Sequence, residues 1–177
     1  MASQPEILAY HFTEAGLIEP AIAYWLKAGQ LAARRSANAE TQNHLACGLE
    51  LLPSVGDPML RNKLELPLQT ALGNSLRATE GWSTDSVKHA YTRALQLCKE
   101  SGFDEHTLPP AFGLWTWNFV HGALGEAQAL AEHLVNTSNN VDDSVYKVLA
   151  HEALGFTLFA QGKFVTARGV GTQHQHV

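Results

Sequence analysis

Apolar positions recur along this chain every three to four residues, in stretches of helical length that glycine, proline or polar clusters separate. This spacing is typical of one buried face of an α-helix and not of the strict alternation of a half-buried strand. The stretches predict helices over about 5–15, 19–35, 39–52, 59–79, 84–101, 109–122, 125–135 and 145–160, with a further helix beginning near 164. The pattern therefore predicts an all-α protein.

A short phrase occurs three times at the predicted helix boundaries. A glycine is followed five positions later by an alanine in Gly16–Ala21, Gly122–Ala127 and Gly162–Ala167, and the last two copies lie 40 residues apart. A repeated unit of helix, glycine turn and helix is typical of stacked helical hairpins. We therefore predict a right-handed superhelical array of antiparallel hairpins over residues 1–168, with the last repeat incomplete. Residues 169–177 form a flexible, non-repeat tail in this interpretation.

The sequence makes more specific predictions for the first and fourth helices. In the first helix, Ile7, Leu8, Phe12 and Ala15 recur at helical spacing, and we expect them to face the core. The fourth helix contains Pro67, which lacks the N–H that an interior helical position donates. We therefore expect a kink at this proline or a break of the helix into two pieces.

Composition narrows the class of protein. Hydrophobic residues make up 45% of the chain and charged residues 16%, which suits an array with broad buried faces. The formal charge is −5 and no dense Lys/Arg stripe exists, which argues against nucleic acid as a partner. We read Cys47 and Cys98 as buried small hydrophobes in a reducing compartment. No apolar stretch reaches the about 20 residues of a membrane span and no signal peptide is visible, so we expect a cytoplasmic protein without a membrane partner.

Motifs that carry chemistry are incomplete in this chain. His151-Glu152 resembles the start of a zinc-protease helix, but Gly155 stands where the second ligand is needed. Gly162-Lys163 is followed by Phe164, and the upstream glycine lies at the wrong distance for a phosphate-binding loop. We therefore predict no catalytic residue, no metal site and no cofactor.

Residues at fixed offsets in three places resemble the tetratricopeptide-repeat class. The pattern is carried by Leu8-Ala9, Phe12, Gly16, Ala21, Trp25 and Ala28; by Leu72-Gly73, Leu76, Gly81, Tyr91 and Ala94; and by Leu154-Gly155, Leu158, Gly162 and Ala167. The standard 34-residue period is not kept, so the chain resembles a divergent variety with a longer period.

Longer runs are similar to one group of bacterial signalling proteins. Residues 9–16, 21–29 and 35–40 resemble the helical-repeat arm of multidomain regulators in which an adenylate/guanylate cyclase-like domain and an AAA-type ATPase module precede the arm. The resemblance covers residues 5–168 and excludes the cyclase and ATPase motifs. It implies a non-catalytic scaffold or sensor module that binds other proteins.

The resemblance also implies a binding groove, because the first helices of such hairpins line the concave side of the array. The residues that the repeat alignment places there are Tyr10, Thr13, Asn74, Arg77, Thr116, Phe119, Phe156 and Phe159. The expected partner in this groove is a protein or peptide. A homodimer through the uncapped C-terminal helix is a further hypothesis, motivated by Leu149, Leu154, Phe156 and Phe159.

Two alternatives stand beside this interpretation. In the first, an aromatic pocket at the bend between hairpins senses a small ligand. The aromatic run from Phe112 to Phe119 itself either packs in the core or places some side chains in the groove, where they would anchor a partner. The departure of the tail from the repeat pattern instead suggests a truncated remnant of a larger adenylate cyclase-like protein.

Overall fold

The computed structural model describes residues 4–102, 106–139 and 144–167, which form helices and turns and contain no strand. The prediction of an all-α protein is therefore confirmed for this part of the chain. The chain divides into two compact units, Met1–Gly102 and Phe103–Val177, here called unit 1 and unit 2. The tail predicted at 169–177 lies outside the described residues.

Unit 1 contains five α-helices in which sequence neighbours pack side by side. They are α1 (Pro5–Glu14), α2 (Ile18–Arg34), α3 (Asn38–Leu51), α4 (Pro58–Glu80) and α5 (Asp85–Ser101), and a 3₁₀ turn at Leu52–Ser54 follows α3. Helix α2 also packs on α4. Unit 2 contains α6 (Leu108–Val120), α7 (Leu124–Ser138) and α8 (Ser144–Ala160), with α7 packed on both neighbours and α6 in contact with α8. These bounds agree with the predicted helices to within a few residues.

The repeated phrase forms the same backbone turn each time it occurs. Its glycine has a φ of +70°, +73° and +77° at Gly16, Gly122 and Gly162, a left-handed conformation that glycine adopts without steric cost. The next N–H donates to a carbonyl five residues earlier, in Leu17 to Phe12, Ala123 to Asn118 and Lys163 to Leu158, all at 2.9 Å. This bond closes the helix as a Schellman motif. The alanine N–H then donates to the residue after the glycine, which begins the next helix.

A fourth copy of this turn lies between α2 and α3 and is hidden in the sequence. Ser36 has a φ of 58°, the Ala37 N–H donates to the Ala32 carbonyl at 3.0 Å, and the Thr41 N–H donates to the Ala37 carbonyl at 2.9 Å. Thr41 is 1% exposed and so takes the position of Ala21 and Ala127, which are both fully buried. The copy escapes a sequence comparison because serine replaces the glycine and threonine replaces the alanine.

This serine supplies the first prediction. Ser36→Gly should raise the free energy of unfolding of unit 1 by about 0.5–1 kcal/mol, because glycine adopts the left-handed conformation without a Cβ clash. The matched control is Gly16→Ala, which places a Cβ in the same conformation and should lower that free energy by about 1–2 kcal/mol. Urea denaturation followed by circular dichroism measures both. Two changes of the same sign would contradict the shared turn geometry.

The buried face of α1 differs from the expectation. Ile7 and Leu8 are 47% and 38% exposed and Ala15 is exposed, while Phe12 is half-buried. The buried positions of the helix are Pro5, in its first turn, and Ala9, which is 0% exposed. Helix α1 packs mainly against α2, so only a narrow stripe of it is covered. A small side chain lies at the centre of that stripe because it lets the two helices approach closely.

Helix α4 continues through Pro67 without a break, so the expected division into two pieces does not occur. Its 23 residues form one helix, and Glu65, Leu66 and Leu68 around the proline are buried. Packing of this segment offsets the one backbone hydrogen bond that proline removes. Leu68 contributes to the core cluster of unit 1, which also contains Ile22, Leu45, Leu52 and Val55.

Candidate interaction surfaces

The residues predicted to line a groove differ in their exposure. Tyr10, Asn74, Phe156 and Phe159 are exposed, whereas Thr13, Arg77, Thr116 and Phe119 are half-buried. Helix α1 carries Tyr10 and Thr13, and α4 carries Asn74 and Arg77. The remaining four lie in unit 2, on α6 and α8.

Both predicted threonines are engaged within their own unit. The Thr13 hydroxyl donates to the Ala9 carbonyl at 2.8 Å and accepts the indole N–H of Trp25 at 3.2 Å. The Thr116 hydroxyl donates to the Phe112 carbonyl at 3.0 Å. Thr13 thus joins α1 to α2, a role that the helical spacing did not indicate.

Polar and aromatic side chains of α4 contact α5 and the turn that connects the two helices. The Asn74 side-chain oxygen accepts the hydroxyl of Tyr91 at 2.7 Å, and the Arg77 guanidinium lies 4.5 Å from the centre of the Trp82 ring. Burial raises the pKa of Tyr91, and the positive charge of Arg77 lowers it by less than burial raises it. The phenol therefore stays neutral and can donate its hydroxyl proton to Asn74. Trp82 takes part in these contacts although the repeat pattern did not select it.

One ion pair fastens α4 to α5. Arg93 donates from Nε and Nη2 to the two carboxylate oxygens of Glu65, each at 2.7 Å, and Gln69 donates to the same carboxylate at 3.2 Å. Burial acts to raise the pKa of Glu65, but the hydrogen bonds and charge of Arg93 outweigh it and leave the pKa below its ordinary value. The pair therefore stabilises the fold above the ordinary glutamate pKa, and its contribution is lost as the pH falls below that value.

The aromatic run of α6 packs largely on itself. Trp115 and Trp117 are 7% and 8% exposed, and the rings of Phe112 and Phe119 lie 5.2 and 5.4 Å from the ring of Trp115. The Trp115 indole donates to the buried Thr157 hydroxyl of α8 at 2.9 Å. These two tryptophans therefore belong to the core of unit 2, as the first of the two interpretations of the run expected.

Exposed apolar side chains concentrate at two places. Of the twelve large hydrophobic residues exposed in the described part of the chain, ten lie on α1 and the turn after it or between residues 145 and 165. We call the first group the α1 surface (Ile7, Leu8, Tyr10 and Leu17) and the second the α8 surface (Val145, Val148, Phe156, Phe159, Phe164 and Val165). The other two are Met59 and Val120. Such concentrated apolar exposure is typical of interaction sites.

In residues 4–102, 106–139 and 144–167, no group of three His, Cys, Asp or Glu residues has the arrangement to hold a metal ion. Cys98 is buried, as expected, whereas Cys47 is half-buried, and the two do not form a disulfide. Burial, and then the charge of Glu50, raises the pKa of Cys47, which disfavours the reactive thiolate.

No helix in the same ranges is both long and apolar enough to cross a bilayer.

Comparison with known proteins finds no family model that matches the chain. The chain is similar to an uncharacterized protein of Rhizobium meliloti (strain 1021), with 30% identity over 110 residues. The aligned segment is 61% of this chain and 11% of the relative. The chain thus spans a small part of the length of the relative it matches.

Proposed function

We propose that this chain is a non-catalytic protein-interaction module, built as a tetratricopeptide-like array of helical hairpins. Its role in this proposal is that of a scaffold or sensor arm of a cyclase/ATPase-type signalling regulator. The observation that carries the proposal is the concentration of ten exposed large hydrophobic side chains on the α1 and α8 surfaces. Exposing them to water is unfavourable, and a protein partner that covers them removes this cost.

The chemistry of the two surfaces favours a protein or peptide as the partner. Tyr10, Phe156 and Phe159 are 56%, 58% and 63% exposed on helix faces. Large aromatic side chains of this kind are common anchors of protein interfaces, because each buries a large area with few rotatable bonds. An amphipathic helix that lies along such a face would contact it at successive turns.

Two further observations support the wider role. The same turn ends a helix in four places, at Gly16, Ser36, Gly122 and Gly162, and repetition of one turn is typical of repeat proteins. The relative is also several times longer than the aligned segment, which suits a module that forms one part of a large regulator.

The α1 surface offers the second prediction. Helical peptides selected from a random display library on the purified chain should lose at least about tenfold in affinity on Tyr10→Ala, because the variant removes the largest exposed anchor of that surface. Met59→Ala is the matched control, since Met59 is also 56% exposed in unit 1 and lies outside both surfaces. Titration by fluorescence anisotropy measures the affinities. Equal affinity for both variants, or no selected peptide, would contradict the proposal.

The small-ligand alternative predicts a different result in the same preparation. A metabolite that binds a pocket of the folded protein raises the melting temperature, and by mass action the rise grows with the logarithm of its concentration above the dissociation constant. A protein-binding helix face does not respond to a metabolite library. A thermal shift that increases with the concentration of one compound would therefore favour a small-ligand sensor over the interaction module.

A further inference from the structure

The outer face of α8 has a symmetric arrangement of residues. Val145, Val148, Glu152, Phe156 and Phe159 share this face, and the buried residues Ala150, Ala153, Thr157 and Leu158 lie on the other side of the helix. Measured from Glu152, the four apolar residues stand four and seven positions away in each direction. We call these five residues the α8 seam. They follow the three- and four-residue steps by which a helix contacts a second helix.

The seam is ordered in the size of its side chains as well as in their positions. Both apolar residues before Glu152 are valines, and both after it are phenylalanines. If a second copy of the helix lies antiparallel and the two Glu152 residues meet, Val145 faces Phe159 and Val148 faces Phe156 of the second copy. Each small side chain then opposes a large one, which fills the space between the helices evenly. A parallel pair would instead crowd four phenylalanines at one end.

The exposed area is sufficient for such a contact. The valines of the seam are 63% and 43% exposed and its phenylalanines 58% and 63%. Phe164, 59% exposed, extends the patch because its ring lies 5.2 Å from that of Phe159. These side chains with the edges of their neighbours offer on the order of 600 Å² per copy, the lower end of the range for specific protein interfaces.

We propose that the α8 seam pairs with the seam of a second copy of this chain, antiparallel and across a two-fold axis at Glu152. The inference rests on the proposed function, since it names one partner of the interaction module. The apolar pairs supply the attraction. The two Glu152 carboxylates are brought together at the axis and oppose it, so the dimer is weak and its strength depends on this one position.

A charge exchange at Glu152 tests the arrangement. Glu152→Lys again places like charges at the axis, but a mixture of wild type and variant pairs a carboxylate with an ammonium group. Native mass spectrometry of the full-length chains should show the mixed dimer well above the half that random mixing gives. Glu152→Gln, which removes the repulsion, should strengthen the homodimer by at least about threefold in sedimentation equilibrium.

Two valine variants test whether dimerisation is specific to the seam or results from non-specific apolar association. Val148→Asp, within the seam, should weaken the dimer by at least about tenfold because it buries a charge between the helices. Val120→Asp places the same charge on an exposed valine of α6 in the same unit, and should leave the dimer unchanged. Circular dichroism of both variants establishes that the helices are retained.

Three results would overturn the proposal: a monomer at all concentrations up to about 100 µM, mixed dimers at or below the random fraction, or assemblies that grow beyond the dimer. Growth without limit would point to contact between the α8 surface of one copy and the α1 surface of the next. If the chain does not dimerise but the selected peptides still depend on Tyr10, the dimer proposal is wrong and the proposed interaction module is retained. If the dimer forms but the peptides do not depend on Tyr10, the proposed function is wrong and the dimer proposal is retained.

Discussion

Leu45→Ala is expected to lower the free energy of unfolding of unit 1 by about 3–4 kcal/mol, the largest effect of the substitutions considered. The Leu45 side chain is fully buried in the cluster that α2, α3 and α4 form with the 3₁₀ turn. Its removal loses the transfer energy of the side chain and leaves a cavity. Urea denaturation followed by far-ultraviolet circular dichroism measures the change.

The control for Leu45 is an apolar residue that the helical spacing also placed in the core. Ile7→Ala on α1 should cost less than about 1 kcal/mol, because Ile7 is 47% exposed. The comparison separates burial in the structure from hydrophobicity in the sequence. Equal losses for the two variants would restore the original interpretation of α1 and contradict the α1 surface.

Gly73→Ala is expected to lower the free energy of unfolding by about 2 kcal/mol, although alanine favours a helix more than glycine does. A Cβ at this position would lie 2.7 Å from Cε1 and 2.9 Å from Cδ1 of Tyr91. The ring has little freedom to move, because Tyr91 is 1% exposed and its hydroxyl is bound to Asn74. The clash must then separate α4 from α5.

Two comparisons test this cause. In a double-mutant cycle, the loss of unfolding free energy caused by Gly73→Ala should be smaller by at least about 1 kcal/mol in the Tyr91→Leu background. The smaller leucine side chain leaves room for the added Cβ. Gly155→Ala, in α8, should instead stabilise unit 2 by about 0.5–1 kcal/mol, because no atom beyond its chain neighbours and the nearby backbone of its own helix lies within 4 Å of the added Cβ. A cost of Gly73→Ala that is unchanged in the Leu background would refute the clash.

Much of the helical layout was predictable, because local preferences decide where helices begin and end. Proline at the first turn begins α1, α4 and α6, and glycine in a left-handed conformation ends several helices. Pro67 shows the limit of this reasoning: its local cost was known, but the buried residues around it keep α4 continuous.

The candidate surfaces were predictable only in part. Tyr10, Phe156 and Phe159 were selected from the repeat pattern and are exposed, and the groove that was predicted to contain them stays a prediction. Leu149 and Leu154, which motivated a C-terminal dimer, are half-buried, and Leu154 lies on the side of α8 opposite to Glu152. The valines of the seam were not selected, because hydrophobicity alone does not distinguish a buried stripe from an exposed one.

The amino-acid sequence by itself determined the all-α class, the approximate bounds of the helices and three copies of the turn that joins them. These features depend on interactions between residues a few positions apart, which a one-dimensional pattern contains. Only the tertiary structure decided that Ala9 is buried in α1 whereas Ile7 is exposed, and that Ser36 repeats the glycine turn. It also decided that Val145, Val148, Phe156 and Phe159 remain exposed on either side of Glu152. Burial depends on which helices cover each face, and that choice is made between residues far apart in the chain.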